Sequence, residues 1–229
     1  MPLLSKRRSR AFDVPVHDMT LRITGPEELY EEARAVGMQF WEQLQSYAIR
    51  HPDFQTSKRP FAVGGDAPDV VRQMSVMAAS AGVGPMFTFQ GALAETVGRA
   101  LGRSVADIMV VCGPDHWIVT RKRSRLALNR GGSGRQGELG IVVKPELGPH
   151  GVHIGVRNPG RSSSDDVVVI VASSCILADA AAAGVSAILS KPNSLRAALT
   201  YVKRMNGVHG AMLMRGDRIG VAGGLELAV

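Results

Sequence analysis

Cysteine is scarce: Cys112 and Cys175 are the only two, and each lies inside an apolar stretch. With no CxxC pair and no dense framework, they exclude a disulfide scaffold and read as reduced core thiols of a cytoplasmic protein. Apolar runs are short as well. None approaches the roughly 18 residues a membrane helix needs, and the basic start has no apolar region behind it, so neither a span nor a signal peptide is expected. Aromatic residues amount to 5%. No P-loop, Gly-x-Ser-x-Gly elbow or HExxH occurs, which argues against a Walker-type NTPase, a hydrolase triad and a zincin.

What is present is basic and globular. The 229 residues are 45% hydrophobic, 21% charged and carry a formal net charge of +7. That length supports one large core or two intimately packed lobes. The charge calls for an anionic partner. It concentrates in Lys6-Arg7-Arg8-Ser9-Arg10 and in Arg121-Lys122-Arg123-Ser124-Arg125, followed by Arg130 and Arg135. No aromatic residue interleaves with these runs to stack on bases, so nucleic acid is not the expected partner. A small phosphorylated ligand uses the same charge, and a homo-oligomer is compatible with it.

Periodicity divides the chain into helices and short strands. Residues 1–18 read as a basic arm and residues 20–24 as a strand. A helix opens at Pro26 and stops before Pro52, with Leu29, Ala33, Val36, Phe40, Leu44 and Tyr47 as its buried stripe. Residues 53–67 read as a connecting loop. The second helix ends at Gly82 in a left-handed cap, and a third follows Gly84-Pro85 and closes at Gly102. Small residues Gly91, Ala92, Ala94 and Gly98 let neighbouring backbone approach it. Residues 105–112 and 116–120 form a hairpin about Gly113-Pro114-Asp115. Further strands are expected at 140–144, 152–156 and 167–172, the last an unbroken Val-Val-Val-Ile-Val run covered on both faces. Helices over 174–189 and 193–205 and a hairpin about Gly216-Asp217 complete the chain. Each half thus runs from helices to a strand, a tight turn and a strand, a loose duplication. The fold class expected is α/β of the α+β kind, with largely antiparallel sheets packed with helices. It forms a single domain over residues 19–229 with lobes at about 19–125 and 126–229.

Gly82-Val83-Gly84-Pro85-Met86 is the strongest local pattern. Backbone amides at a glycine-rich helix start suit a phosphate or carboxylate; an ordinary glycine-rich start to a packed helix is the plainer reading. Asp115 reads first as a turn residue, and Asp179 either as a metal ligand or as an aspartate favoured near a helix start. His150 and His153 lie three apart without a third ligand in sight, so surface or loop roles are expected. Arg161 with Ser162, Ser163 and Ser164 reads as a solvated loop.

Several spaced elements together resemble the short branch of the ApbE-like superfamily, related to FAD:protein FMN transferases. They are His51-Pro52-Asp53-Phe54, Ala67-Pro68, Ala81-Gly82-Val83-Gly84-Pro85-Met86, Gly91-Ala92-Leu93-Ala94-Glu95, Asp107-Ile108-Met109-Val110 leading to Gly113 and Asp115, and Leu177-Ala178-Asp179-Ala180. The resemblance implies a T-fold-like duplicated architecture and FAD or FMN as cofactor. Gly82, Gly84, Pro85, Met86, Gly113 and Asp115 would be on the flavin side and Asp179 on a magnesium ion. In full-length members it implies magnesium-dependent transfer of FMN to a protein threonine. Departures leave that magnesium set incomplete. Ala183 stands where the family has threonine, and Val111, Cys112 and Pro114 replace the glutamate, asparagine and second glycine of a Glu-Asn-Gly-Gly-Asp element. The resemblance therefore implies a binding protein without transferase activity. An active enzyme, or an accessory of anaerobic sulfur assimilation to homocysteine, is a second reading, and a basic nucleic-acid-associated protein a third.

Overall fold

The computed structural model describes residues 9–128, 140–157 and 166–228. Its first element is a hairpin, β1 (Arg10–Val16) and β2 (Met19–Gly25), turning at His17 with a positive φ of 55°. The arm expected over residues 1–18 is thus, from Arg10, a strand. Phe12, Val14 and Val16 alternate inward against Ile23, Leu21 and Met19. Pro15 interrupts the pattern in the sequence yet is tolerated, because β1 is the sheet's outermost strand and its missing N–H interrupts no ladder to a further neighbour.

The helical layer follows. A short 3-10 turn at Glu27–Leu29 leads into α1 (Tyr30–Arg50). Its buried stripe is the expected one, except that Gly37 replaces Val36 at the seam: a Cβ on Gly37 would stand 2.5 Å from the Val16 side chain. Pro52 does more than end α1; it opens α2 (Pro52–Thr56) inside the expected loop, a first-turn position where its missing N–H costs nothing. α3 (Asp69–Ala81) ends at Gly82, left-handed at φ 68°. A 3-10 turn at Pro85–Thr88 then precedes α4 (Phe89–Leu101).

β3 (Ile108–Cys112) and β4 (Asp115–Val119) form the hairpin at Gly113, whose φ is 57°. β5 (Ser124–Ala127) and β6 (Gly140–Val143) leave the main sheet. The chain returns with β7 (His150–Arg157) and β8 (Asp166–Ala172), then α5 (Cys175–Leu189) and α6 (Leu195–Lys203). β9 (Val208–Arg215), β10 (Arg218–Gly223) and β11 (Leu227–Ala228) finish it.

Eight strands make one antiparallel sheet in the order β1-β2-β3-β4-β7-β8-β9-β10, and β11-β6-β5 make a small second sheet. Each half of the large sheet repeats a hairpin, helices and a hairpin, and the halves meet where β4 pairs with β7. β8 shows why its sequence lacks polar alternation. Val168, Ile170 and Ala172 face α5 and α6, while Val167, Val169 and Val171 pack in the cluster that includes Ile141 and Val143 of the small sheet. Close approach to the helices depends on missing side chains. A Cβ on Gly98 of α4 would lie 2.2 Å from the Trp117 ring, and one on Gly151 of β7 would lie 2.2 Å from Cys175 Cα.

Candidate functional site

The site lies at the seam between halves. Asp115, the first residue of β4, is paired in register with His153 of β7, so both side chains project from the same face. Gly151, two residues before His153, touches α5 on that face, which puts α5 above the pair. The helix carries Asp179 in its second turn.

Two buried carboxylates set the height of α5. Glu95 of α4 accepts from Ser174 Oγ at 2.6 Å, from the Cys175 amide at 2.7 Å and from the Ile176 amide at 3.2 Å, so it caps α5 from a distant part of the chain. In return, Asp179 of α5 accepts at Oδ2 from the Gly91 amide, 3.0 Å away, in the first turn of α4. Each helix thus answers orphan amides of the other, with a carboxyl group at each N-terminal end. Gly91 makes this possible, since a Cβ there would lie 2.4 Å from the Cys175 carbonyl oxygen. The dipole Asp179 serves is therefore that of α4, whereas its sequence position suggests its own helix.

His153 Nδ1 lies 2.9 Å from Asp115 Oδ1 and 3.8 Å from Asp179 Oδ1. One ligand atom from each of the three residues falls within a 4.8 Å group. Asp115 is fully buried, and its Oδ2 has no hydrogen-bond partner among the described residues. Burial raises the pKa of Asp115 far above the carboxylate range. Asp179 is raised by burial first and by the neighbouring Asp115 second, and burial lowers His153. Two carboxylates this close cannot both ionise cheaply without a compensating charge. A bound cation would supply it. Cis donors on an octahedral ion with bonds near 2.1 Å stand about 3 Å apart, a spacing compatible with this cluster.

An open pocket of about 550 Å³ adjoins the cluster, lined by Gly113, Pro114, His153, Gly155, Val168 and Ser186 among others. Gly113 is in the hairpin turn where the sequence placed it, left-handed at φ 57°, with the Gln90 side-chain amide 2.5 Å from where its Cβ would be. Asp115 is a correction to its turn reading: Gly113-Pro114 make the turn, and Asp115 is interior. His153 corrects the expectation of a loop or surface role. Its partners lie 38 and 26 positions away in number, and only strand register and helix packing bring them together. A sequence signal existed in the phase of Asp115 with Trp117 and of His153 with Gly151, alternate residues that share a face. His150, three along the same strand, faces the opposite way; its Nδ1 lies 2.8 Å from the Gly148 carbonyl oxygen. Ala183 offers no oxygen one turn beyond Asp179, as expected. The serine loop with Arg161 lies outside the described residues.

Gly82–Met86 have a structural explanation of their own. The Gly82 and Val83 amides donate to Ala79 and Ala78 carbonyls and close α3. Gly84 is buried, and a Cβ on it would stand 1.9 Å from the Ser57 carbonyl oxygen. Pro85 is buried and accepts from Thr88 Oγ1 at 2.7 Å, and Met86 is half-buried. Close packing thus accounts for the second glycine. Gly84→Ala is expected to destabilise the protein by about 1–3 kcal/mol, because the 57–58 backbone must move. Urea unfolding would measure this, and an unchanged midpoint would reject the packing explanation.

Fold and cluster together define an ApbE-like α+β protein with a buried candidate cation centre. The chain belongs to the family described as "AbpE bacteria", whose model matches residues 2–206. A UPF0280 protein of Methanocella arvoryzae is 30% identical over 191 residues, covering 82% of this chain and 78% of the relative. A UPF0280 protein of Methanothermobacter thermautotrophicus is 29% identical over 189 residues, covering 79% and 73%. Among solved structures, the flavin transferase ApbE from Vibrio cholerae superposes with a TM-score of 0.65 at 12% identity, covering 93% of this chain and 97% of that one. The apo flavinyl transferase ApbE of Pseudomonas stutzeri gives 0.60 at 15% identity, covering 96% of each. At these identities the likeness is one of fold. No helix among the described residues is long and apolar enough to cross a membrane.

Proposed function

We propose that this chain binds a phosphorylated small molecule through a divalent cation held by Asp115, His153 and Asp179, with FMN and FAD the first ligands to test, and does not transfer it. The observation that carries this reading is the cluster itself: two interior carboxylates and an imidazole converge beside an open pocket, and one carboxylate oxygen lacks a partner among the described residues. The cation's chemical contribution would be to neutralise phosphate charge. The protein's own residues do the rest. Asp115 and Asp179 supply anionic oxygens, the Gly91 amide orients Asp179, and Gly113 lets the β3–β4 turn pass close to Gln90. Likeness to flavin transferases points to a flavin nucleotide.

Loss of the family's threonine at Ala183, and of its polar side chains at Val111 and Cys112, favours binding over transfer. The basic run at 121–125 gives less support to nucleic acid than its composition suggests. Arg121 pairs with Asp107, and Arg123 with Glu226.

Calorimetric titration of FMN and FAD, with Mn²⁺ or Mg²⁺ and again in EDTA, tests the reading. Binding should weaken at least about tenfold on chelation, a loss of about 1.4 kcal/mol. Equal affinity in EDTA would remove the cation from the account. Release of AMP from FAD would replace binding with catalysis.

A further inference from the structure

We infer that the Asp115–His153–Asp179 centre selects a first-row transition dication that accepts an imidazole nitrogen, in the Mn²⁺ to Zn²⁺ class, over magnesium. The inference rests on the cation reading above and adds the identity of the ion.

The donor set carries it. Magnesium takes oxygen ligands in near-octahedral geometry and keeps several waters. Here the third donor is nitrogen, and it is not peripheral. Nδ1 of His153 is hydrogen-bonded to Asp115 Oδ1 at 2.9 Å and stands 3.8 Å from Asp179 Oδ1, as one of the three ligand atoms of the candidate cluster. The ring has little freedom to withdraw. Its strand residue is registered against Asp115, its side chain is 12% exposed, and a Cβ on Gly155 would come 2.6 Å from Nε2. An ion indifferent to nitrogen leaves the His153–Asp115 hydrogen bond in place and sits on carboxylate oxygens alone. A transition dication replaces the proton of that bond and takes Nδ1 as a ligand, and affinity for such a nitrogen-containing site rises from Mn²⁺ to Cu²⁺, with Zn²⁺ above Mn²⁺ but below Cu²⁺.

A separate observation is an unpartnered oxygen at the centre. Asp115 Oδ2 is buried with no hydrogen-bond donor among the described residues. Two carboxylates and one imidazole leave further coordination positions for water or ligand oxygens, on the side where the pocket lined by His153 and Ser186 opens.

The probes are Mn²⁺ and Mg²⁺ added to chelator-treated full-length protein. Affinity comes from calorimetry, and bound Mn²⁺ is examined by pulsed EPR for coupling to nitrogen. Mn²⁺ should bind roughly tenfold or more tightly than Mg²⁺ and show ¹⁴N coupling. His153→Ala, checked for folding by circular dichroism, should lose the coupling and bring the two affinities close together. The wild-type spectrum decides even if that variant fails to fold. Mn²⁺ bound without nitrogen coupling, or no preference over Mg²⁺, overturns this inference and leaves the cation reading standing. Coupling that persists in folded His153→Ala assigns the nitrogen elsewhere and also overturns it. Failure of both ions to bind overturns the cation reading itself.

Discussion

Asp179→Asn should abolish cation-induced stabilisation while leaving the cation-free protein as stable as wild type or more so. The asparagine keeps an oxygen for the Gly91 amide and removes one of two interior like charges. The pH dependence gives the sign. Asp115 and Asp179 have folded-state pKa values raised above their unfolded ones, so their contribution to stability is complete below the ordinary carboxylate pKa of 3.8 and is lost as pH rises through the raised values. His153 runs the other way. Its lowered pKa favours the neutral ring in the fold, so its contribution is complete above the ordinary value of 6.5 and is lost as pH falls through the folded-state value. Comparing variant with wild type isolates the aspartate. In EDTA the variant's advantage should grow with pH, reaching about 1–3 kcal/mol, the scale of an unsatisfied buried polar group. With Mn²⁺ present the order should reverse, because only ionised carboxylates bind the ion well. Urea unfolding across pH, with and without the ion, measures both arms. A variant that is less stable than wild type in EDTA at every pH would mean that Asp179 is a structural cap and little else.

The second large effect concerns Glu95. Glu95→Ala removes the acceptor for three donors at the start of α5 and for the Arg99 guanidinium, 2.6 Å away. Interior donors left without a partner make this one of the costlier single changes, about 3–5 kcal/mol. For a chain of this size that corresponds to a fall in Tm on the order of 10 °C. Glu95→Gln keeps an acceptor oxygen and should lose less than half as much. Because the same contact seats α5, the glutamine variant should also weaken Mn²⁺ binding through displacement of Asp179, although residue 95 does not touch the ion. Thermal unfolding and Mn²⁺ titration of both variants test this. An alanine variant as stable as wild type would show that the glycine contacts alone hold the two helices together.

These two carboxylates also mark how far the sequence could be read. Gly82 announced its left-handed cap and Gly113 its tight turn, because positive φ is a local demand that few other residues meet. The apolar run of β8 and the small-residue face of α4 likewise announced burial and close packing. Pro15 concealed β1, since tolerance of a proline depends on whether a strand lies at an edge, and edge position is a property of the sheet. Gly84 revealed that something comes close but not what: a ligand and the Ser57 carbonyl impose the same need for a missing side chain.

Local chemistry, then, was determined by the chain itself: turn positions, helix ends, the periodicity of buried faces, and an antiparallel α+β fold of ApbE-like kind. The partners of Asp115, His153, Asp179 and Glu95 were decided only by tertiary structure. Their meeting depends on the register of β4 against β7 and on the seating of α5 over α4. Both are set by contacts between segments far apart in the chain, where no local spacing carries the information.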